Sequence, residues 1–193
     1  KELVPADGLD LAILANGAYT QNTPQWQSVK NNFKENWVRT PNRILWIPKS
    51  NELAGILIER DYQGEGLSTK MQIPKDVNEW KNKSGIYISQ DGNARLVPVG
   101  QYNLGEVNSE DGFLRVILTD EGAELFVKTA RDSKLVPYTW GLDVNDLKEP
   151  VQRVSSLREL GGRLGFLGDD WYVGDEGLAF AVSVSREENA PKN

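Results

Sequence analysis

Two apolar runs on either side of a short polar turn constrain this chain more than anything else in it. Ile44-Leu45-Trp46-Ile47 reads as one strand and the run from Leu53 to Ile58 as the next. Lys49, Ser50, Asn51 and Glu52 between them suit a hairpin loop. Neither run alternates with polar residues, so the hairpin is expected to be covered on both faces. Around it the rest of the chain must supply two layers of cover.

Upstream, Leu9 to Ala18 reads as a short buried helix, with Asp7 or Asp10 as cap and Asn16-Gly17 as stop. Thr23 followed by Pro24 starts a second helix over residues 24–37, on which Trp26, Val29, Phe33 and Trp37 form one stripe. Pro41 is expected to end that segment. Downstream, Leu67 to Ile73 alternates as a half-exposed strand, and Pro74 to Lys83 reads as a polar surface segment with a turn or two of helix. Ile86-Tyr87-Ile88 and Arg95-Leu96-Val97 flank an Asp91-Gly92 turn, a strong hairpin signal. Tyr102 to Val107 and Phe113 to Leu118 read as a further strand pair. Thr119 or Asp120 caps a helix over 120–131, Leu135 to Leu142 reads as a strand, and Val154 to Leu160 as a short amphipathic helix. Leu178 to Val184 is a last strand, and Arg186 to Asn193 a charged tail. The fold class that follows is α+β. It is a single domain over residues 1–193, with a meandering, mainly antiparallel β-sheet and a few peripheral helices; 143–153 is the one candidate boundary. The missing strand–helix–strand alternation argues against a parallel doubly wound sheet.

Composition removes much chemistry. With no cysteine there are no disulfides, thiolate metal sites or cysteine nucleophiles, and with no histidine there is no Ser-His-Asp triad. Any metal would be a hard cation held by oxygens, calcium or magnesium. Residues 1–97 carry 12 basic and 11 acidic side chains and residues 98–193 carry 10 and 17, so the net charge of −6 lies almost wholly in the second half. That balance makes nucleic acid an unlikely partner. No apolar run spans a bilayer, so no membrane insertion is expected. No signal-peptide pattern is visible, and an N-terminal Lys1 leaves processing open. The expectation is a soluble, cytoplasmic protein.

Five groups of residues invite a functional reading. Asp169, Asp170, Asp175 and Glu176 lie on a glycine-rich backbone on which oxygens could converge on calcium or magnesium; the alternative is two solvated turns around Trp171-Tyr172-Val173. Gly64 to Lys70 and Gly161 to Gly168 both miss the phosphate-loop and dinucleotide spacings. Lys30, Lys34, Arg39, Arg43 and Lys49 lie near Trp26, Trp37 and Trp46, a basic and aromatic set against which stands the placing of those rings on a core stripe. Glu59 and Asp61 would share a strand face, with Glu65 nearby, as carboxylate acid–base work requires; a strand end meeting water is the plainer account. Trp80, Trp140 and Trp171, with Tyr172, sit in polar or glycine-rich surroundings, where part of each ring is open to a protein or sugar.

The function these residues favour is a non-enzymatic binding or protein-interaction domain without a cofactor. Trp80, Trp140, Trp171 and Tyr172 are its contact residues, and a protein partner or a second copy its target. One alternative is a carboxylate-dependent hydrolase assisted by magnesium or calcium. The other is an assembly subunit whose open sheet edges pair with copies of itself.

Overall fold

The computed structural model describes residues 2–60, 69–168, 178–179 and 181–184. Twelve strands and three helices follow in the order β1 (Glu2–Pro5), α1 (Gly8–Thr20), α2 (Pro24–Glu35), β2 (Val38–Ile47), β3 (Gly55–Arg60), β4 (Lys81–Lys83), β5 (Ile86–Ile88), β6 (Ala94–Pro98), β7 (Gly105–Glu106), α3 (Gly112–Asp132), β8 (Val136–Trp140), β9 (Val151–Leu160), β10 (Arg163–Leu167), β11 (Leu178–Ala179) and β12 (Ala181–Val184). One sheet runs β4-β5-β6-β3-β2-β9-β10-β8-β7, with β11 beside the start of β2; β1 and β12 form a separate ribbon. Within the large sheet, among the described residues, only β10–β8 and β11–β2 are parallel. The class is α+β with a mainly antiparallel sheet, built from hairpins set side by side.

The expected central hairpin is β2–β3, in register from Ile47 opposite Gly55 to Asn42 opposite Arg60. Successive residues 44–47 and 55–58 are all buried, which requires a layer on each face. On one face Ile44, Trp46, Ile56 and Ile58 pack into the main core with α1 and α3. On the other, Leu45, Ile47, Leu57 and Leu96 lie under Met71, Ile73, Val77 and Trp80 from the segment after β3. That segment is tied down where the Met71 N–H donates to Gln152 Oε1 at 2.8 Å and Arg43 donates to the Thr69 carbonyl at 3.2 Å. Pro41 lies inside β2, at the register shift between Arg39 and Arg43, where a bulge tolerates a residue without an N–H. The hydroxyls of Thr40 and Ser155 bond to each other there, and Asn42 donates to Thr40 at 3.1 Å.

Helix α1 has the expected Asp7 cap as a reciprocal box with Asp10. It does not stop at Asn16-Gly17 but runs to Thr20. Gly17 is there for packing, since a Cβ on it would lie 2.3 Å from the Trp26 ring. Phe113 to Leu118 is not a strand but the first turns of α3. Asp111 decides this by accepting the Phe113 and Leu114 N–H groups at 3.0 and 3.1 Å, together with that of Asn103 at 2.7 Å. Burial pushes the Asp111 carboxyl up in spite of those donors. Only Gly105–Glu106 of the expected strand 102–107 pairs, with β8. Val154 to Leu160 is not a helix but part of β9, between β2 and β10. Residues 154–157 are buried in succession, which hides the two-residue alternation. Residues 69–73 form no strand, and at 74–83 a single turn, closed by the Trp80 N–H on the Val77 carbonyl at 3.0 Å, leads into β4 in place of a helix.

Thr119 breaks α3. Its φ of 69° and ψ of 168° are costly for a β-branched residue, and its hydroxyl accepts the Gly122 N–H at 3.3 Å, capping the second half of the helix. Thr119→Gly is expected to stabilise the fold by about 1 kcal/mol, because relief of strain exceeds the few tenths lost in exchanging a threonine cap for glycine. A higher urea midpoint at unchanged slope would show it; a lower one would mean that the hydroxyl matters more than the strain.

Candidate functional site

The sheet face opposite the helices carries both described tryptophans on which the sequence reading rested. Trp80 closes the second core and is half-buried. A depression of about 750 Å³ opens beside it, lined by Asp76, Asn78, Glu79, Trp80, Ser89, Gln90 and Asp91. Two elements make its walls: the segment leading into β4 and the β5–β6 turn. Gln90 Nε2 donates to Glu79 Oε2 across them at 3.1 Å. Asp91 accepts the Ser89 hydroxyl at 2.6 Å and the Asn93 N–H at 3.0 Å, and these bonds hold its carboxyl below the usual range. Asp76 accepts the Asn78 N–H at 3.1 Å. Three carboxylates, two carboxamides and a hydroxyl thus surround one indole, and among the described residues the lining has no cation. A second depression, of about 580 Å³, shares Asp76 and Asn78 and reaches the β2–β3 turn at Ser50, Asn51 and Glu52.

Trp140 lies elsewhere on this face. Its ring is 4.7 Å from that of Tyr138, over which Arg163 stacks at 4.5 Å. Further along, Arg158 stacks on Trp37 at 4.4 Å. Trp80 and Trp140 therefore belong to different patches of one surface.

Asp169, Asp170, Asp175 and Glu176 lie outside the described residues, as do Trp171, Tyr172, Asp61 and Glu65. Among the described residues no group of three or more acids is placed to hold a metal ion. Glu59 spends its carboxylate on Arg43, 2.8 Å away. The basic set divides between surfaces. Lys30 lies over the Tyr19 ring at 4.8 Å and Lys34 is 3.9 Å from Glu159 on the helix side, whereas Arg43 is on the opposite face. Glu159 also accepts the Tyr19 hydroxyl at 2.5 Å, and burial, with that bond and charge, pushes the phenol's pKa up. Trp46 is fully buried and offers no stacking surface. The polar wall at Ser89–Asp91 was not foreseen; its one signal was the Asp91-Gly92 hairpin turn.

No protein-family model matches the chain, and no curated protein matches it. A solved structure similar to it is described as the accommodation of massive sequence variation in Nanoarchaeota by the C-type lectin fold. The two are 14% identical, with a TM-score of 0.47, over 92% of this chain and 85% of that one. At that identity and score the likeness adds nothing to a functional argument, which rests on the geometry above. Among the described residues no helix is long and apolar enough to cross a membrane.

Proposed function

We propose that this chain is a non-enzymatic binding domain that takes a lysine or arginine side chain of a protein partner against Trp80. The supporting observation is the half-buried indole set among Asp76, Glu79 and Asp91, with no cation in the lining among the described residues. A ring face attracts a cation, and three carboxylates around it add direction and charge complementarity. A partner adding a strand fits less well. Among the described residues the sheet ends at β4, whose three residues Lys-Asn-Lys are exposed, and at β7, which has two residues. Lysines and short length are what block pairing at an edge.

Titration with short lysine- or arginine-containing peptides, their glutamine analogues and neutral oligosaccharides tests this. Basic peptides are expected to bind best, and Trp80→Ala to weaken them about 30-fold, the loss of a buried aromatic anchor. Asp91→Asn, on an exposed turn, should weaken them several-fold without altering the fold. Equal binding of the glutamine analogues, preference for a sugar, or undiminished binding to the Trp80 variant would contradict the proposal.

A further inference from the structure

The depression of about 580 Å³ beside the β2–β3 turn differs in character from the one at Trp80. One wall is the turn, residues 50–53, and the other is the covering segment, residues 73–78. Its apolar surface comes from Leu53, Ile73, Pro74 and Val77, each half-buried. Leu53, Ile73 and Val77 pack against the second core of Leu45, Ile47 and Leu57, so they are held from below. Hydrogen bonds brace both walls. Asn51 Oδ1 accepts the Leu53 N–H at 2.8 Å, and the Asn51 N–H donates to the Pro48 carbonyl at 3.0 Å. On the other wall the Trp80 N–H donates to the Val77 carbonyl at 3.0 Å. A site formed before its ligand arrives loses less on binding.

That last bond also sets the distance between the two depressions. It closes a four-residue turn from Val77, which lines one, to Trp80, which lines the other. The Cα atoms at the two ends of such a turn are under about 7 Å apart. An extended chain rises about 3.3 Å per residue and returns to the same face at every second residue, so side chains two apart are spaced by about 6.6 Å. We propose that the partner segment reaching Trp80 is extended and carries an aliphatic residue two positions from its lysine or arginine, on either side of it, with the aliphatic side chain in the second depression. The inference rests on the Trp80 reading and adds a neighbouring residue to it. Charge favours the same choice. An acidic side chain in the second depression would face Glu52 and Asp76, and a second basic one would face Lys75. Either would also leave water for a surface of four apolar side chains, whereas an aliphatic one gains by it.

Isothermal titration of the purified protein with the capped peptides Lys-Ala-Leu, Leu-Ala-Lys, Lys-Ala-Ala, Lys-Leu-Ala and Lys-Ala-Glu tests this. The tighter of Lys-Ala-Leu and Leu-Ala-Lys is expected to exceed Lys-Ala-Ala about tenfold, the worth of burying most of a leucine side chain. Lys-Leu-Ala, whose leucine falls on the opposite side of an extended chain, and Lys-Ala-Glu should bind no better than Lys-Ala-Ala. Leu53→Ser should remove the leucine's advantage and leave Lys-Ala-Ala unchanged, whereas Trp80→Ala should weaken every lysine peptide. Thermal unfolding shows whether each variant folds, and the peptide comparison on the native protein needs no variant. If Lys-Ala-Ala binds and neither Lys-Ala-Leu nor Leu-Ala-Lys binds more tightly, or Lys-Leu-Ala gains as much, this inference is overturned and the Trp80 reading stands. If no lysine peptide binds, both are overturned.

Discussion

Trp46→Ala should lower the free energy of unfolding by about 4 kcal/mol, the cost of deleting a large, fully buried aromatic. Trp46 has no exposure to solvent, and its ring lies 6.0 Å from that of Tyr102 and 6.3 Å from that of Phe113. Two glycines are fitted around it: a Cβ on Gly141 would lie 2.2 Å from the ring and one on Gly168 3.0 Å. With such close neighbours the cavity cannot collapse without moving backbone, so the full cost should appear. The Nε1–H donates to the Gly168 carbonyl at 2.6 Å. Trp46→Phe, which keeps most of the ring but strands that carbonyl, should therefore still cost about 2 kcal/mol. Urea unfolding measures both. A loss under about 1 kcal/mol for the alanine variant would remove Trp46 from the centre of the core.

Gly8→Ala should cost about 3 kcal/mol, at the upper end for overpacking. A Cβ there would lie 1.9 Å from the Ile117 carbonyl oxygen and 2.7 Å from the Leu118 Cα. Both obstacles are backbone of α3, immediately before the kink at Thr119. The backbone fixes where a Cβ lies, so no rotamer change relieves the contact; α1 or α3 must shift, and with it the buried Leu11 and Ala15 of α1 and Leu114 and Leu118 of α3. Alanine favours a helix more than glycine does, by under about 1 kcal/mol at an interior position, so propensity alone predicts the opposite sign. A stabilised Gly8→Ala protein would mean that the two helices do not approach as described.

These two sites show what the sequence could and could not reveal. The β2–β3 hairpin was legible because continuous apolar runs with a polar turn between them leave few other folds. The β5–β6 hairpin was legible from Asp91-Gly92, and α1 from its Asp7 cap. Phe113 to Leu118 reads as a strand because all but Arg115 are apolar, while the deciding feature, the Asp111 cap, lies just upstream. Val154 to Leu160 was misread for the reverse reason. A strand buried on both faces loses its alternation, and its leucines at 157 and 160 then fall at helical spacing. Trp80 stands out by its polar neighbours, but its meeting with the Ser89–Asp91 turn depends on β4 pairing with β5, which no local pattern displays.

The measurement that bears most directly on the binding reading is an amide and indole NMR titration of the protein with a short lysine-containing peptide. The account predicts saturable shifts at the Trp80 indole, at Asp76 to Glu79 and at Ser89 to Asp91, abolished by Trp80→Ala and weakened by salt. Shifts confined to another surface, or shifts unchanged when the peptide's lysine is replaced by glutamine, would contradict it.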